Sequence, residues 1–186
     1  MNIVLPRRAV PQPSPFLNSG GDCGACVLAG VLGLSPVDIY ERWCQNTPQS
    51  LGLWEIQRLL RCAEHEGLLS HVVIDIPIWP YAVPSMCAGW GLTSWQQQSA
   101  WESYLAMSIS GGYYGLATVA HPPDGPVNDG TNHWVLLCGI RHSEAHKQYE
   151  VLVSCSAQST PNEDWISTRS FLINRGGFTT LLARPI

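Results

Sequence analysis

Hydrophobic and polar positions follow two different periods along the chain, helical in its first half and strand-like in its second. Residues 24–34 are small or apolar, with no charge and no proline, which predicts a buried helix. Ser35 and Pro36 then fit the N-cap and the first residue of a second helix. Between 50 and 65 apolar residues recur at helical spacing, and Gly67 follows as a stop signal. The first part of the chain is therefore predicted to form a helical layer.

A further helix is predicted to begin near Ser94, where Ser-Trp-Gln-Gln has the spacing of a capping box, and to end before Gly111. Beyond it the pattern favours strands, because Val, Leu, Ile and aromatic residues stand in short runs between polar turns. The predicted strands are 69–76, 113–120, 133–140, 149–154 and 178–183, with a short helix over 167–173. Helices followed by neighbouring strands predict an α+β fold with an antiparallel sheet in the C-terminal half.

The first 21 residues differ from the rest, because prolines interrupt them repeatedly. They are predicted to form an extended N-terminal arm, 1–21, that leads into the first helix. The whole chain has 186 residues, a length that suits one domain with a full core. No internal repeat is visible, so we expect a single domain over 1–186.

Composition narrows the classes of partner. Hydrophobic residues make up 45% of the chain and charged residues 13%, which is typical of a compact globular protein. The net charge is −4 and no basic run exceeds Arg7-Arg8, so we expect no nucleic-acid partner. No apolar stretch is long enough to span a bilayer, and the N-terminus lacks the apolar core of a secretory signal. We expect a protein without a membrane partner, cytoplasmic or exported by a specialised secretion system.

Cys23 is the candidate nucleophile. It follows Asp22 and stands at the N-terminus of the predicted helix over 24–34. Unpaired backbone N–H groups and the positive end of the helix dipole at this position favour the thiolate, which is the nucleophilic form. Such a nucleophile needs a histidine base from another part of the fold. His133, at the start of a long apolar run, is the candidate, and His71 at the start of another predicted strand stays open.

The other cysteines suggest structural roles. The chain has seven cysteines, an odd number, and we expect reduced, buried thiols. Cys23 and Cys26 form a Cys-x-x-Cys pattern, which is also found in zinc and redox sites. A zinc site needs a second ligand pair, which is missing, and a thioredoxin-type site needs a preceding strand, where this chain has proline-rich coil. We expect no metal, no organic cofactor, and a Cys26 that faces the core.

Two segments, Asp22–Gly24 and His133–Ile140, carry a resemblance to the papain-like cysteine peptidases. Within that superfamily the chain most resembles the bacteriocin-processing branch, the double-glycine leader peptidases and their stand-alone relatives. Those proteins have Asp-Cys-Gly at the nucleophile with Leu-Ala and Val-Leu downstream, and here Leu28-Ala29 and Val31-Leu32 stand in that register. The resemblance implies a papain-like fold, with an N-terminal helical half bearing the cysteine, a C-terminal antiparallel sheet bearing the histidine, and a cleft between them.

The resemblance also implies an oxyanion hole. These peptidases use the backbone N–H of the nucleophile together with a Gln side chain six residues earlier. That position is Leu17 in this chain, which cannot donate a hydrogen bond from its side chain. Asn18, one residue nearer to Cys23, is the candidate donor, and its alternative role is that of a turn residue.

The third catalytic residue is where the chain departs from the family. The family places Asp or Asn at the end of the strand that follows the histidine strand, and residues 153–157 of this chain read Val-Ser-Cys-Ser-Ala. The partner of the His133 imidazole is therefore expected to be neutral. The candidates are Ser154, Ser156, Gln158 and Asn162, with Ser154 and Ser156 favoured by register, whereas Asp164 would have to fold back.

These features predict a cysteine-dependent hydrolase that cleaves an amide or peptide bond through an acyl-enzyme on Cys23, with His133 as the base. The implied partner is a peptide or protein substrate, and a bacterial effector or toxin is one setting for such an enzyme. Two alternatives stay open. The same pair could serve an amidase, a deamidase or an acyltransferase, and the missing family Asp is compatible with a non-catalytic domain that binds a peptide.

Overall fold

The computed structural model describes residues 1–11, 22–47, 49–74, 94–120, 132–145, 147–156, 162–174 and 180–186. Within these ranges the chain is an α+β protein with a seven-stranded sheet and five helices. The elements are β1 (Asn2–Val4), α1 (Cys23–Leu32), α2 (Pro36–Trp43), α3 (Leu53–His65), β2 (Leu69–Val73), α4 (Ser94–Ser110), β3 (Tyr114–Ala120), β4 (Asn132–Ser143), β5 (Gln148–Cys155), β6 (Asn162–Ser167), α5 (Thr168–Asn174) and β7 (Thr180–Pro185). The prediction of an α+β fold is confirmed.

The sheet is organised around β4. The strand order is β2-β7-β3-β4-β5-β6, and every pairing between described strands is antiparallel. β4 pairs with β3 along its first half and with β5 from Val135 to Ser143. Both faces of β4 are covered, which explains why 133–140 reads as a continuous apolar run rather than as an alternation.

Alternate residues of β4 belong to two separate cores. Trp134 and Leu136 belong to the core built around α1, all of whose residues are buried. Val135 and Leu137 belong to the core that contains residues of α4 and α5. Since α1 packs against β4 and also contacts β3 and β7, its first residue lies close to the start of the central strand. The fold therefore brings the two candidate catalytic segments together.

The N-terminal arm is part of the sheet over the residues that are described, 1–11. β1 pairs with the second half of β4, with Asn2 opposite Arg141 and Val4 opposite Gly139. The pairing of β3 with β4 ends at Leu137, and β1 pairs with β4 beyond that point on the same side. β1 was not predicted as a strand, because a run of only three residues before Pro6 carries no detectable period. The remainder of the predicted arm, 12–21, lies outside the described residues.

After β1 the arm crosses α1. The N–H of Val10 donates to the carbonyl of Cys26 at 3.1 Å. A Cβ atom at Gly30 would lie 2.1 Å from the carbonyl oxygen of Arg8, so only glycine allows this close approach. The guanidinium of Arg8 also forms an ion pair of 2.7 Å with Glu163 of β6. The arm is thus held between the first helix and the edge of the sheet.

The predicted helix signals act as expected in α2 and α3. Ser35 and Asp38 form a capping box, in which the Asp38 N–H donates to the Ser35 hydroxyl and the Ser35 N–H donates to the Asp38 carboxylate. Pro36 occupies the first position of α2. Gly67 follows the end of α3. Its φ is +73°, a backbone conformation that residues other than glycine rarely adopt.

β6 is the other strand that was not predicted. Its first residues are polar, and Glu163 and Asp164 are exposed on the edge strand of the sheet. Only Trp165 and Ile166 carry the apolar signal, and they pack on opposite cores. Two such residues are too few to separate a strand from a loop by periodicity alone.

One further property concerns membranes. Among the described residues, no single helix is both long and apolar enough to cross a bilayer. Of the described helices, α1 and α2 taken together, with a bend of 96° between them, pass the test of length and composition.

The capping box gives a first prediction. Replacing Ser35 with alanine should lower the free energy of unfolding by about 1 kcal/mol, because the N–H of Asp38 loses its acceptor. Urea unfolding at neutral pH measures the change. Ser99→Ala, an exposed serine within α4, is the matched control and should change stability by less than about 0.5 kcal/mol. Equal losses in the two variants would contradict the capping role.

Candidate active site

The site begins at the N-terminus of α1. Asp22 is fully buried, and its carboxylate accepts a hydrogen bond of 2.7 Å from the Tyr40 hydroxyl of α2 rather than capping the helix. Burial, together with this hydrogen bond to the carboxylate, raises the pKa of Tyr40. Cys23 follows as the first residue of α1. The Asp22–Tyr40 contact therefore fixes the turn that presents the Cys23 thiol.

Two contacts of Leu51 support the same turn. The indole Nε1–H of Trp134 donates to the carbonyl of Leu51 at 2.9 Å. A Cβ atom at Gly24 would lie 3.0 Å from the Leu51 Cβ and 3.1 Å from its carbonyl oxygen. Gly24 therefore allows the chain before α3 to pack against the head of α1. Leu51 connects that head with the residue that follows His133.

The Cys23 thiol lies against the start of β4. The backbone N–H of Trp134 donates to the Sγ of Cys23, with 3.4 Å between the two atoms. Val135 and Cys155 form the last residue pair between β4 and β5 on this side, so Cys23 lies just beyond the point where that pairing ends. Cys23 is buried, with 7% of its surface exposed. The candidate nucleophile Cys23 thus contacts Trp134, the residue that follows the candidate base His133 on β4.

The ionisation of Cys23 differs from the sequence expectation. Burial is the largest influence and raises the pKa of the Cys23 thiol, although hydrogen bonds from the N–H groups of Trp134 and Gly24 act in the opposite direction. Helix position alone had suggested a lowered value. Desolvation outweighs these donors because water contributes little to solvating the thiolate at this depth. At neutral pH the protonated thiol is accordingly the favoured form.

His133 is buried, with 5% of its surface exposed. Its Nε2 lies 3.0 Å from the Sγ of Cys155, the last residue of β5. Cys155 also contributes an electrostatic interaction that raises the pKa of Cys23. Cys23 at the head of α1, His133 at the start of β4 and Cys155 at the end of β5 therefore lie near one another at this end of the sheet. Cys155 was not among the predicted site residues.

The predicted serine partners of His133 have other surroundings. The Ser154 hydroxyl accepts a hydrogen bond of 3.1 Å from the N–H of Ala9 in the arm, and the buried Ser156 hydroxyl has no hydrogen-bond partner within the described part of the chain. The alternation of side chains along β5 puts Ser154 and Cys155 on opposite faces, and Ser156 follows the end of the strand. Cys155 pairs with Val135 and so shares the face of His133.

The remaining candidates are distributed as follows. Asn18 and Gln158 lie outside the described residues, and Asn162 is the first residue of β6, paired with Cys155. Asp164 is exposed on β6 opposite Val153, away from the end of β5. His71, the alternative base, lies on the edge strand β2, where its Nδ1 is 2.8 Å from the Tyr113 hydroxyl. No contact joins His71 to Cys23 among the hydrogen bonds of the described residues.

The Cys-x-x-Cys pattern does not produce a paired redox site. Cys26 is fully buried, and burial followed by the charges of Asp22 and Cys23 raises its pKa to about 12. The six described cysteines are thiols rather than disulfides. Within the described ranges, no group of three or more His, Cys, Asp or Glu side chains has an arrangement that could hold a metal ion. Cys26 thus serves as a core residue of α1.

Comparison of the chain with protein-family models, with curated proteins and with solved structures gave no match.

Proposed function

We propose that this protein is a papain-like cysteine hydrolase that cleaves an amide bond in a peptide or protein through an acyl-enzyme on Cys23. The observation that carries the proposal is the hydrogen bond from the Trp134 N–H to the Cys23 thiol, which brings the head of α1 beside His133. A buried cysteine at a helix N-terminus and a histidine on a neighbouring strand are the two groups that this chemistry requires.

The arrangement of the two halves supports the papain-like assignment. Cys23 begins a fully buried helix within the helical half, and His133 stands near the start of the central strand of an antiparallel sheet. The strand β5 that follows the histidine strand ends beside the imidazole. This is the relation of elements that the resemblance in the sequence implies.

The proposed reaction conserves every proton. His133 accepts the thiol proton of Cys23 as the sulfur attacks the carbonyl carbon of the substrate, and the carbonyl oxygen becomes an oxyanion. The imidazolium then protonates the leaving amine as the C–N bond breaks, which leaves a thioester on Cys23. Water, deprotonated by His133, attacks the thioester, and the acid product leaves as the sulfur recovers a proton. The backbone N–H groups at the head of α1 and at Trp134 are the donors available to negative charge at this site.

The raised pKa of Cys23 leads to a test of how the thiol is activated. The rate of iodoacetamide alkylation at Cys23 should increase steadily from about pH 6 to about pH 9, because the thiolate fraction is still rising over that range. A thiolate stabilised at neutral pH would react at a rate almost independent of pH over the same range. Mass spectrometry of the Cys23 peptide measures the rate, and Cys26 in the same digest should stay unmodified in the folded protein.

The proposed function is tested with a peptide vinyl sulfone and a panel of fluorogenic peptide amides. We expect covalent addition of the vinyl sulfone to Cys23, loss of that adduct in His133→Ala, and cleavage of at least one amide in the panel. Cys62→Ser, which removes a partly exposed thiol on α3, is the control for non-specific labelling and should keep the adduct. Labelling of Cys62 alone, with no cleavage, would contradict the proposal and favour a peptide-binding domain.

A further inference from the structure

Cys155 occupies a position for which the mechanism has no residue so far. In the proposed reaction His133 must present an unprotonated nitrogen to the Cys23 thiol, and a neutral imidazole has one protonated and one unprotonated nitrogen. A hydrogen-bond partner on the nitrogen that faces away from Cys23 determines which of the two nitrogens carries the proton. The Nε2 of His133 lies 3.0 Å from the Cys155 Sγ, so the contact lies on one defined side of the ring.

We propose that Cys155 is the positioning residue of the site, a thiol that stands where related enzymes use a carboxylate or an amide. The inference rests on the proposed function for its catalytic meaning. Nε2–H donates to the Sγ of Cys155, Nδ1 is left unprotonated, and Nδ1 takes the proton of Cys23. When the imidazolium forms, Nε2–H remains bonded to the sulfur and the ring keeps its orientation.

The strand geometry supports this role. Cys155 is the last residue of β5 and pairs directly with Val135 of β4, so its side chain lies on the face of the sheet that His133 shares. Ser154 lies on the opposite face, where its hydroxyl accepts a hydrogen bond from the N–H of Ala9. A residue of any type at 155 would therefore be directed at the His133 ring, and this register is a property of the backbone rather than of the thiol.

The alternative role for Cys155 is that of the nucleophile. Cys155 has a histidine nitrogen within hydrogen-bond distance, which a nucleophile requires. Cys23, however, has the N–H groups of Trp134 and Gly24 directed at its sulfur, and these same donors suit an oxyanion beside it. Cys155 stands at the end of a strand, without the donors of a helix N-terminus. The two roles are separated by the experiment.

The experiment compares Cys155→Ala, Cys155→Asn and Cys155→Asp with the unmodified protein. We expect Cys155→Ala to lower kcat by about tenfold or more while KM changes by less than about twofold, because alignment of the base is lost and substrate binding is not. Cys155→Asn should restore kcat to at least the original level, since its amide oxygen accepts from Nε2–H. Cys155→Asp should also restore kcat, because an ionised carboxylate stabilises the imidazolium. Circular dichroism checks that each variant is folded.

A second readout does not depend on catalysis. Nitrogen NMR of the ring of His133 reports its tautomer, and the form protonated at Nε2 should dominate in the unmodified protein and in Cys155→Asn, and lose that dominance in Cys155→Ala. An unchanged tautomer in Cys155→Ala would overturn the proposal whatever the enzyme does. A tautomer that responds in a protein without any hydrolytic activity would uphold the positioning role and contradict the proposed function. Full activity in Cys23→Ala with none in Cys155→Asn would identify Cys155 as the nucleophile and overturn the inference.

Discussion

Replacing Cys23 with alanine should reduce amide hydrolysis by about 10⁴-fold or more. The variant keeps the buried helix α1 but loses the atom that forms the acyl-enzyme, and removal of a nucleophile has effects of this size in enzymes that use one. Cys23→Ser should be almost as inactive, because a hydroxyl is a much weaker acid than a thiol. Initial rates on the fluorogenic peptide that the unmodified protein cleaves best would measure both losses.

Cys26→Ala is the matched control for this prediction, because it removes a thiol from the same helix one turn away. Cys26 is fully buried, so substrate cannot reach its thiol, and burial raises its pKa to about 12, so little thiolate is present at neutral pH. We expect kcat/KM within about twofold of the original and a loss of about 1–2 kcal/mol in the free energy of unfolding from the small cavity. Loss of activity in a folded Cys26→Ala, or activity that survives in Cys23→Ala, would show that the nucleophile is another residue.

Among the glycines that the structure describes, Gly30 is the one whose replacement with alanine should cost the most stability. The added Cβ would lie 2.1 Å from the carbonyl oxygen and 2.9 Å from the carbonyl carbon of Arg8, and both are backbone atoms that no rotamer change can move. Either α1 or the arm must shift. We expect a loss of about 2–3 kcal/mol in the free energy of unfolding, measured in urea, or separation of the arm from α1.

The control for Gly30→Ala is Gly111→Ala. A Cβ at Gly111 would be 3.4 Å or more from its nearest neighbours, which is an ordinary van der Waals contact, so stability should change by less than about 0.5 kcal/mol. Limited proteolysis distinguishes the two routes open to Gly30→Ala, because a separated arm would be cut between Arg7 and Arg8 by trypsin while the rest of the domain resists. A Gly30→Ala protein as stable and as resistant as the original would contradict the close contact.

The sequence predicted the elements that carry long local patterns. α1 could be recognised from its uninterrupted small and apolar residues, and β4 from an apolar run that needs burial on both faces. Cys23 and His133 stand at the ends of these two patterns, so their closeness follows from the packing of α1 on β4. β1 and β6 were not predicted, because a strand of three residues and a polar edge strand have too little periodicity. Their strand conformation depends on pairing with neighbouring strands.

The finer features of the site depended on tertiary structure. The sequence favoured Ser154 and Ser156 as polar residues at the expected end of the strand, but the register of β5 against β4 turns Cys155 towards the imidazole. A one-residue change of register would have reversed that outcome. The raised pKa of Cys23 was also beyond local reasoning, because the helix N-terminus is visible in the sequence whereas the depth of burial is not.

The pairing of β1 with β4 has a consequence for how the protein is made. The arm is synthesised well before its partners, which lie from Gly139 to Arg141 and at Ser154. Contacts between such distant segments form late, because a long loop must close before they yield any stabilisation. The arm therefore waits unpaired during translation and docks only after β4 and β5 have emerged. The surroundings of Ser154, the residue before Cys155, are therefore complete only once the arm has docked.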